Sequence, residues 1–250
     1  MKYVRFKADS EIKYGILEGE VIKLIDGNIM GDYRIMDEYY SLSEVNLLAP
    51  CQPGKIVCIG LNYLDHAKEL DMDLPEEPTI FMKPATAVIG PGDVIEYPEM
   101  SNHLDYEAEI AAVIKEEAKN VTVEEVKDYI LGYTCLNDIT ARDLQEEDGQ
   151  WTRAKSFDTF APLGPVIATE VDPNDLKIQL FKNGSLKQDS TTAQMICDME
   201  EVVSFISQIM TLEPGDVITT GTPPGTSSTE KGDKLEVKIE GIGSLINSVG

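Results

Sequence analysis

The chain opens on a short-period pattern. "KYGILEGEVIKLIDG" (residues 13–27) alternates apolar and polar side chains around Gly-containing turns, the two-residue period of antiparallel hairpins. Residues 1–50 therefore read as a small β-rich N-terminal domain. A connector with Pro50 and Pro53 follows, and the apolar run Ile56–Leu61 predicts a buried strand at the start of a second domain, 51–250. Helical spacing is rarer. Thr122 with Glu125 predicts a capping box opening a helix over 122–130, and Asp198 with Glu201 predicts another over 199–210, with an apolar face of Val202, Val203, Phe205, Ile206 and Ile209. "PGDVI" occurs at 91–95 and again at 214–218, which reads as a common turn feeding a strand. Strands and helices do not alternate, so a doubly wound sheet or a TIM barrel is excluded. An α+β fold results, with strands rolled around a core and helices outside.

Composition changes this picture only through charge. The balance of 21 basic and 45 acidic residues gives 21 − 45 = −24, which repels nucleic acid and anionic membranes and leaves a small molecule as the expected partner. An anionic substrate then needs a metal or local basic groups to reverse the field. The first residues carry no signal-peptide pattern, no apolar run reaches membrane-spanning length, and the four cysteines form no C-x-x-C pair. The expectation is a cytoplasmic protein with reduced thiols.

The candidate chemistry begins at "HLDYEAEIAAVI" (103–114). On one continuous strand Asp105, Glu107 and Glu109 share a face, and the apolar run after them carries that face inward. Buried like charges at this spacing need compensation. Asp138, at the end of the strand in "YTCLNDITARDLQ", completes with Glu107 and Glu109 a set of hard oxygen ligands suited to Mg²⁺ or Mn²⁺. A two-histidine iron site fails, because the only other histidine, His66, lies upstream of His103.

Further candidates surround this set. His66 and Glu69 sit three apart in "GLNYLDHAKEL", one helical face on which a carboxylate orients an imidazole base. The acidic "DMDLPEEP" after them reads as a loop and candidate lid. Arg142 and Gln145 could grip an anionic or carbonyl group. Lys83 and Lys155 stand in mixed apolar surroundings where an unpaired ammonium is costly, and "TTGTPPGTSS" (219–228) offers backbone N–H groups and hydroxyls.

"GLNYLDHAKE", "PTIFMKP", "DYEAEIAAVI", "GYTCLNDITARDLQ", "AKSFDTFAPLGP" and "TGTPPG", in this order, resemble the fumarylacetoacetate hydrolase family from about residue 55 onward. The resemblance implies a mixed β-roll or barrel fold and usually a homodimer. It places Glu107, Glu109 and Asp138 on the metal ligands, Lys155 near the reacting carbons, and His66–Glu69 on a water-activating dyad. Arg142, Gln145 and Thr222 fall on substrate-contacting positions, and Lys83 joins them as a substrate-binding candidate. The implied activity is divalent-metal-dependent hydrolysis or decarboxylation of a C–C bond in a small 2-oxo acid, through a metal-stabilised enolate. A 2-hydroxydienoate isomerase of aromatic catabolism is the alternative, and a non-catalytic metal or carboxylate-binding protein a third reading. Two departures stand out: Leu61 replaces an arginine found in some acylpyruvate-cleaving members, and "TSS" follows "GTPPG" where small apolar residues are usual.

Overall fold

The computed structural model describes residues 1–250. It is mostly strand, arranged in three open sheets with few helices. The hairpin pattern of the first residues becomes four antiparallel strands, Lys2–Ala8, Glu11–Glu18, Val21–Gly27 and Tyr33–Ser41. These do not close on themselves. Lys2 pairs with Ala168, so the sheet runs from the N-terminal strands into Ala161–Ala168, then Ile130–Asn137, Ala108–Ile114, Val217–Thr219, Lys55–Ile59 and Ile80–Pro84. A five-stranded sheet includes Lys177–Lys182, Lys234–Ile239 and Gly243–Val249. The two "PGDVI" segments feed different sheets, through Val94–Ile95 and Val217–Thr219. No helix is long and apolar enough to cross a membrane.

The strand Ala108–Ile114 is buried throughout, and its two faces serve two cores. Ile110, Ala112 and Ile114 join the larger cluster, while Ala111 and Val113 join the smaller one with Cys58, Leu136 and Leu163. An unbroken apolar run is what a strand covered on both faces requires.

The strand expected to carry all three alternate acids is interrupted. Glu107 falls between Leu104–Tyr106 and Ala108–Ile114, and its N–H donates to Asn137 Oδ1 (3.0 Å). The peeled segment Leu104–Tyr106 pairs instead with Thr140–Ala141 and Ser227–Thr229 in a small sheet of its own. Asp105, on this segment, pairs with Arg142, the guanidinium that also reaches Glu107.

The capping box at Asp198 is present in both directions, and its helix spans Met199–Ile209. Ile209 is exposed, so the buried face is Met199, Val202, Val203 and Ile206. The other expected helix shrinks to Val126–Tyr129. Glu125 accepts both the N–H and the hydroxyl of Thr122, closing a turn, and Ile130 is taken into a strand opposite Ile114. Strand pairing overrides helix propensity there.

One carboxylate pins the turn before Lys234–Ile239. Asp233 accepts from Lys182 Nζ (2.8 Å), Asn183 Nδ2 (2.7 Å), the Glu230 N–H (2.8 Å) and the Thr229 hydroxyl (3.1 Å). Burial pushes its carboxyl up, but these donors outweigh it and hold it at about 2. A depressed carboxyl stabilises the fold above its unfolded value of about 3.9 and loses that contribution as pH falls through the folded value. Asp233→Ala should therefore cost about 1–3 kcal/mol at neutral pH. In urea melts from pH 7 to 2, the gap to the parent should narrow only below about pH 4; a constant gap would contradict this account.

Candidate active site

Neighbouring strands bring three acids together. Ala108 pairs with Asn137 and Glu109 with Leu136, so the strand ends stand side by side, and Asp138 N–H donates to the Glu107 carbonyl (2.8 Å). Glu107, Glu109 and Asp138 are all buried, and one oxygen from each lies within 4.8 Å of the others.

Basic side chains compensate two of the three. Lys155, on the short helix Thr152–Lys155, donates to Glu107 Oε2 (2.9 Å), Asp138 Oδ2 (2.5 Å) and the Thr140 hydroxyl (2.6 Å). Lys83 donates to Asp138 Oδ1 and to the Ile139 carbonyl. Arg142 reaches Glu107, Asp105 and Gln145. Burial pushes Glu107 up, but Lys155 and Arg142 reverse it and hold the carboxyl at about 2. Burial likewise works against the Lys155 ammonium, and Asp138 and Glu107 outweigh it, so its pKa is raised.

Glu109 is different. It accepts the Gly221 N–H (3.2 Å) and makes no ion pair. Burial, and then the Asp138 charge, push its carboxyl well up. With all three acids ionised, as a bound cation would require, Glu107, Glu109 and Asp138 contribute −3, Lys83 and Lys155 +2, and Arg142 cancels Asp105, leaving −1. An all-oxygen donor set with one uncompensated buried carboxylate fits a hard divalent cation. Glu107, Glu109 and Asp138 could hold it.

Above the acids, the helix Leu64–Glu69 presents the expected pair: His66 Nδ1 lies 2.8 Å from Glu69 Oε2. Glu69 also accepts the N–H of Gly225 (3.1 and 3.3 Å), which ties this helix to the "GTPPG" loop. Gly225 has φ +97°, and a Cβ there would lie 2.3 Å from the Lys187 carbonyl, so the position needs glycine. The loop is itself braced, since Thr222 donates its hydroxyl to the Ala108 carbonyl (2.9 Å) and accepts from Gln188 (2.9 Å). The floor is pinned by Asn62, which bonds both the N–H and carbonyl of Cys197 and the Thr220 carbonyl.

A cavity of about 370 Å³ joins these parts; His66, Glu107, Glu109, Arg142, Gln145, Lys155 and Thr222 line it together with Leu61, Leu70, Met72, Phe81 and Trp151. Lys83 does not line it. Fully buried, it donates to Asp138 and to the Ile139 carbonyl and so holds a strand end in place. Glu69 stands behind His66, not on the cavity wall. Sequence reasoning missed Gly225, because its role depends on a contact across 156 positions, and Phe81 and Trp151, whose spacing carries no chemical signature.

Comparison with known proteins agrees with this architecture. A family profile described as "Fumarylacetoacetate (FAA) hydrolase C-terminal" matches residues 55–250, and one described as "Rv2993c-like, N-terminal" matches residues 1–50. The chain belongs to the fumarylacetoacetate hydrolase family, whose members are enzymes. An uncharacterized protein of Archaeoglobus fulgidus is 53% identical over 98% of this chain and 94% of its own length. The mitochondrial oxaloacetate tautomerase Fahd2a of Rattus norvegicus is 41% identical over 83% of this chain and 70% of its own. The solved 2-hydroxyhepta-2,4-diene-1,7-dioate isomerase from Mycobacterium marinum superposes with a TM-score of 0.94 at 41% identity, covering 100% of this chain and 98% of that one.

The charge imbalance at Glu109 is testable without any substrate. Glu109→Gln should abolish Mn²⁺ binding measured by calorimetry. In the absence of added cation its melting temperature should match or exceed the parent's, because a neutral amide replaces a carboxyl whose charged form burial disfavours. Addition of Mn²⁺ should raise the parent's melting temperature alone. Unchanged Mn²⁺ affinity in the variant would remove Glu109 from the ligand set.

Proposed function

We propose that the protein is a Mg²⁺- or Mn²⁺-dependent enzyme that moves a proton at the carbon beside the keto group of a small 2-oxo acid, a tautomerase or isomerase. The observation that carries this reading is the meeting, in one cavity, of Glu107, Glu109, the Lys155 ammonium and His66, with Asp138 bound to Lys155 and Glu69 to His66 from behind the wall. A divalent cation on the triad would supply Lewis acidity to the carboxylate and keto oxygens of the bound acid.

The chain's own groups supply the rest. Lys155, buried and held by Glu107, Asp138 and Thr140, is a fixed positive charge that favours the enolate over the ketone. Glu69 takes the Nδ1 side of His66, which leaves Nε2 to receive the C3 proton and to return it at a different atom. Gly225 holds Glu69 in that position. Gln145, bonded through its oxygen to Arg142, keeps its NH₂ group for a carbonyl or carboxylate. The names of the rat tautomerase and the mycobacterial isomerase support proton transfer.

Cleavage of a C–C bond by hydrolysis or decarboxylation is the second reading. It is favoured by the same dyad, since an imidazole backed by a carboxylate also deprotonates water. The test follows C3 hydrogen–deuterium exchange of 2-oxobutanoate by NMR with Mg²⁺, beside release of pyruvate from 2,4-dioxopentanoate. The parent should catalyse exchange, and His66→Ala or Glu69→Gln should slow it by roughly 10²–10⁴-fold. Pyruvate release without exchange would favour the cleavage reading. Catalysis of neither reaction would reject both.

A further inference from the structure

The cavity has two unlike ends. At the inner end lie the acids and Lys155. From there the wall turns apolar in two steps: the Lys155 ammonium stands 4.8 Å from the centre of the Phe81 ring, and that ring meets Trp151 edge-on at 5.3 Å. Leu61 lies on the same lining. At the mouth, Leu70 and Met72 line the cavity while remaining 49% and 54% exposed, so half of each apolar side chain has nothing packed on it.

Charge along the outer wall runs the wrong way for an anion. Glu146 lines the cavity and is exposed, and the mouth segment after Leu70 carries Asp71, Asp73, Glu76 and Glu77. Apart from His66, which Glu69 faces, the lining cations are Arg142 and Lys155. Arg142 already donates from Nε, Nη1 and Nη2 to Asp105, Gln145 and Glu107, and Lys155 to Glu107, Asp138 and Thr140. A divalent cation would bring the inner end from −1 to +1, which matches the one carboxylate of the substrate's head. No lining cation is left without carboxylate partners for a second, and the free Gln145 NH₂ group is a neutral donor. Desolvating another carboxylate against this apolar and acidic wall is costly.

We propose that the preferred substrate is a monocarboxylic 2-oxo acid whose far end is an uncharged apolar tail, seated on Leu61, Phe81 and Trp151 and covered by Leu70 and Met72. This rests on the 2-oxo acid reading above and adds the chemistry of the tail. The relatives' names contain dicarboxylates, oxaloacetate and a diene-1,7-dioate, so the inference separates this chain from what those names state.

The experiment uses a matched pair, 2-oxohexanoate and 2-oxohexanedioate, which share a six-carbon backbone and differ only in ending on a methyl or a carboxylate. Calorimetry on the full chain with Mg²⁺ measures both, with oxalate as a tail-free control. Binding of 2-oxohexanoate should be at least about tenfold tighter, equivalent to about 1.4 kcal/mol. Met72→Lys, which places a cation at the mouth, should shrink or invert that ratio, with oxalate affinity held as the measure that the inner end is intact. Equal or tighter binding of 2-oxohexanedioate by the parent, with oxalate bound, overturns the tail inference and leaves the 2-oxo acid reading standing. Failure of oxalate and both acids to bind rejects that reading and the inference together.

Discussion

The Lys155 ammonium is bound simultaneously to Glu107, Asp138 and Thr140 and is almost wholly buried. Breaking a buried ion pair by removing one partner costs about 3–5 kcal/mol, since the remaining charge is stranded. Here one ammonium serves two acids, so losing it leaves Glu107 to Arg142 alone and Asp138 to Lys83 alone. The main chain is arranged around this contact. The strand break at Glu107 turns that carboxylate toward Lys155, the Asp138 N–H bond to the Glu107 carbonyl fixes the second strand end, and Lys83 holds Asp138 from beneath. The sheet can bury its charged end because every acid except Glu109 has a basic partner.

Much of this was legible in the chain. The two-residue period of the N-terminal strands, the apolar run Ile110–Ile114 and the capping box at Asp198 each depend on neighbours a few positions away, and each appears in the structure. The pairing of Glu107 and Glu109 with Asp138 followed from acids at strand ends. The failures have one physical origin. The strand expected through 103–114 breaks because Asn137 Oδ1 takes the Glu107 N–H, the helix over 122–130 yields to pairing of Ile130 with Ile114, and Lys83, expected among the substrate-binding residues, lies off the cavity wall because it is bound to Asp138. In each case the deciding partner is distant in sequence, and local pattern carries no record of it.

The dyad helix shows the same dependence on long-range contact. Leu64–Glu69 is six residues long, too short to be stable by propensity alone. Its last residue reaches Gly225, while Asp65 near its start accepts the Ser190 hydroxyl. Three separated segments therefore fix the orientation of His66: the helix itself, the "GTPPG" loop and the strand Ser185–Thr191. On the proposed reading His66 would need this restraint, since a small misplacement of a reacting atom costs orders of magnitude in rate. Gly225 provides it with a backbone N–H, a donor that has no rotamer to lose.

Electrostatics sets the order in which the site is assembled. The protein carries −24 overall and, with its three acids ionised, −1 at the inner end of the cavity, so on the proposed reading an anionic acid would meet repulsion at both scales. A divalent cation on the triad would reverse the local sign and leave the global one unchanged. Screening at physiological salt, with a Debye length of about 8 Å, weakens the distant surface charges far more than the buried ones. The local balance therefore decides binding. It follows that affinity for the anion and affinity for the cation are coupled, and by linkage each raises the other by the same factor. On this account Glu109, bonded to the Gly221 N–H and left without a basic partner, is the group through which that coupling would be expressed.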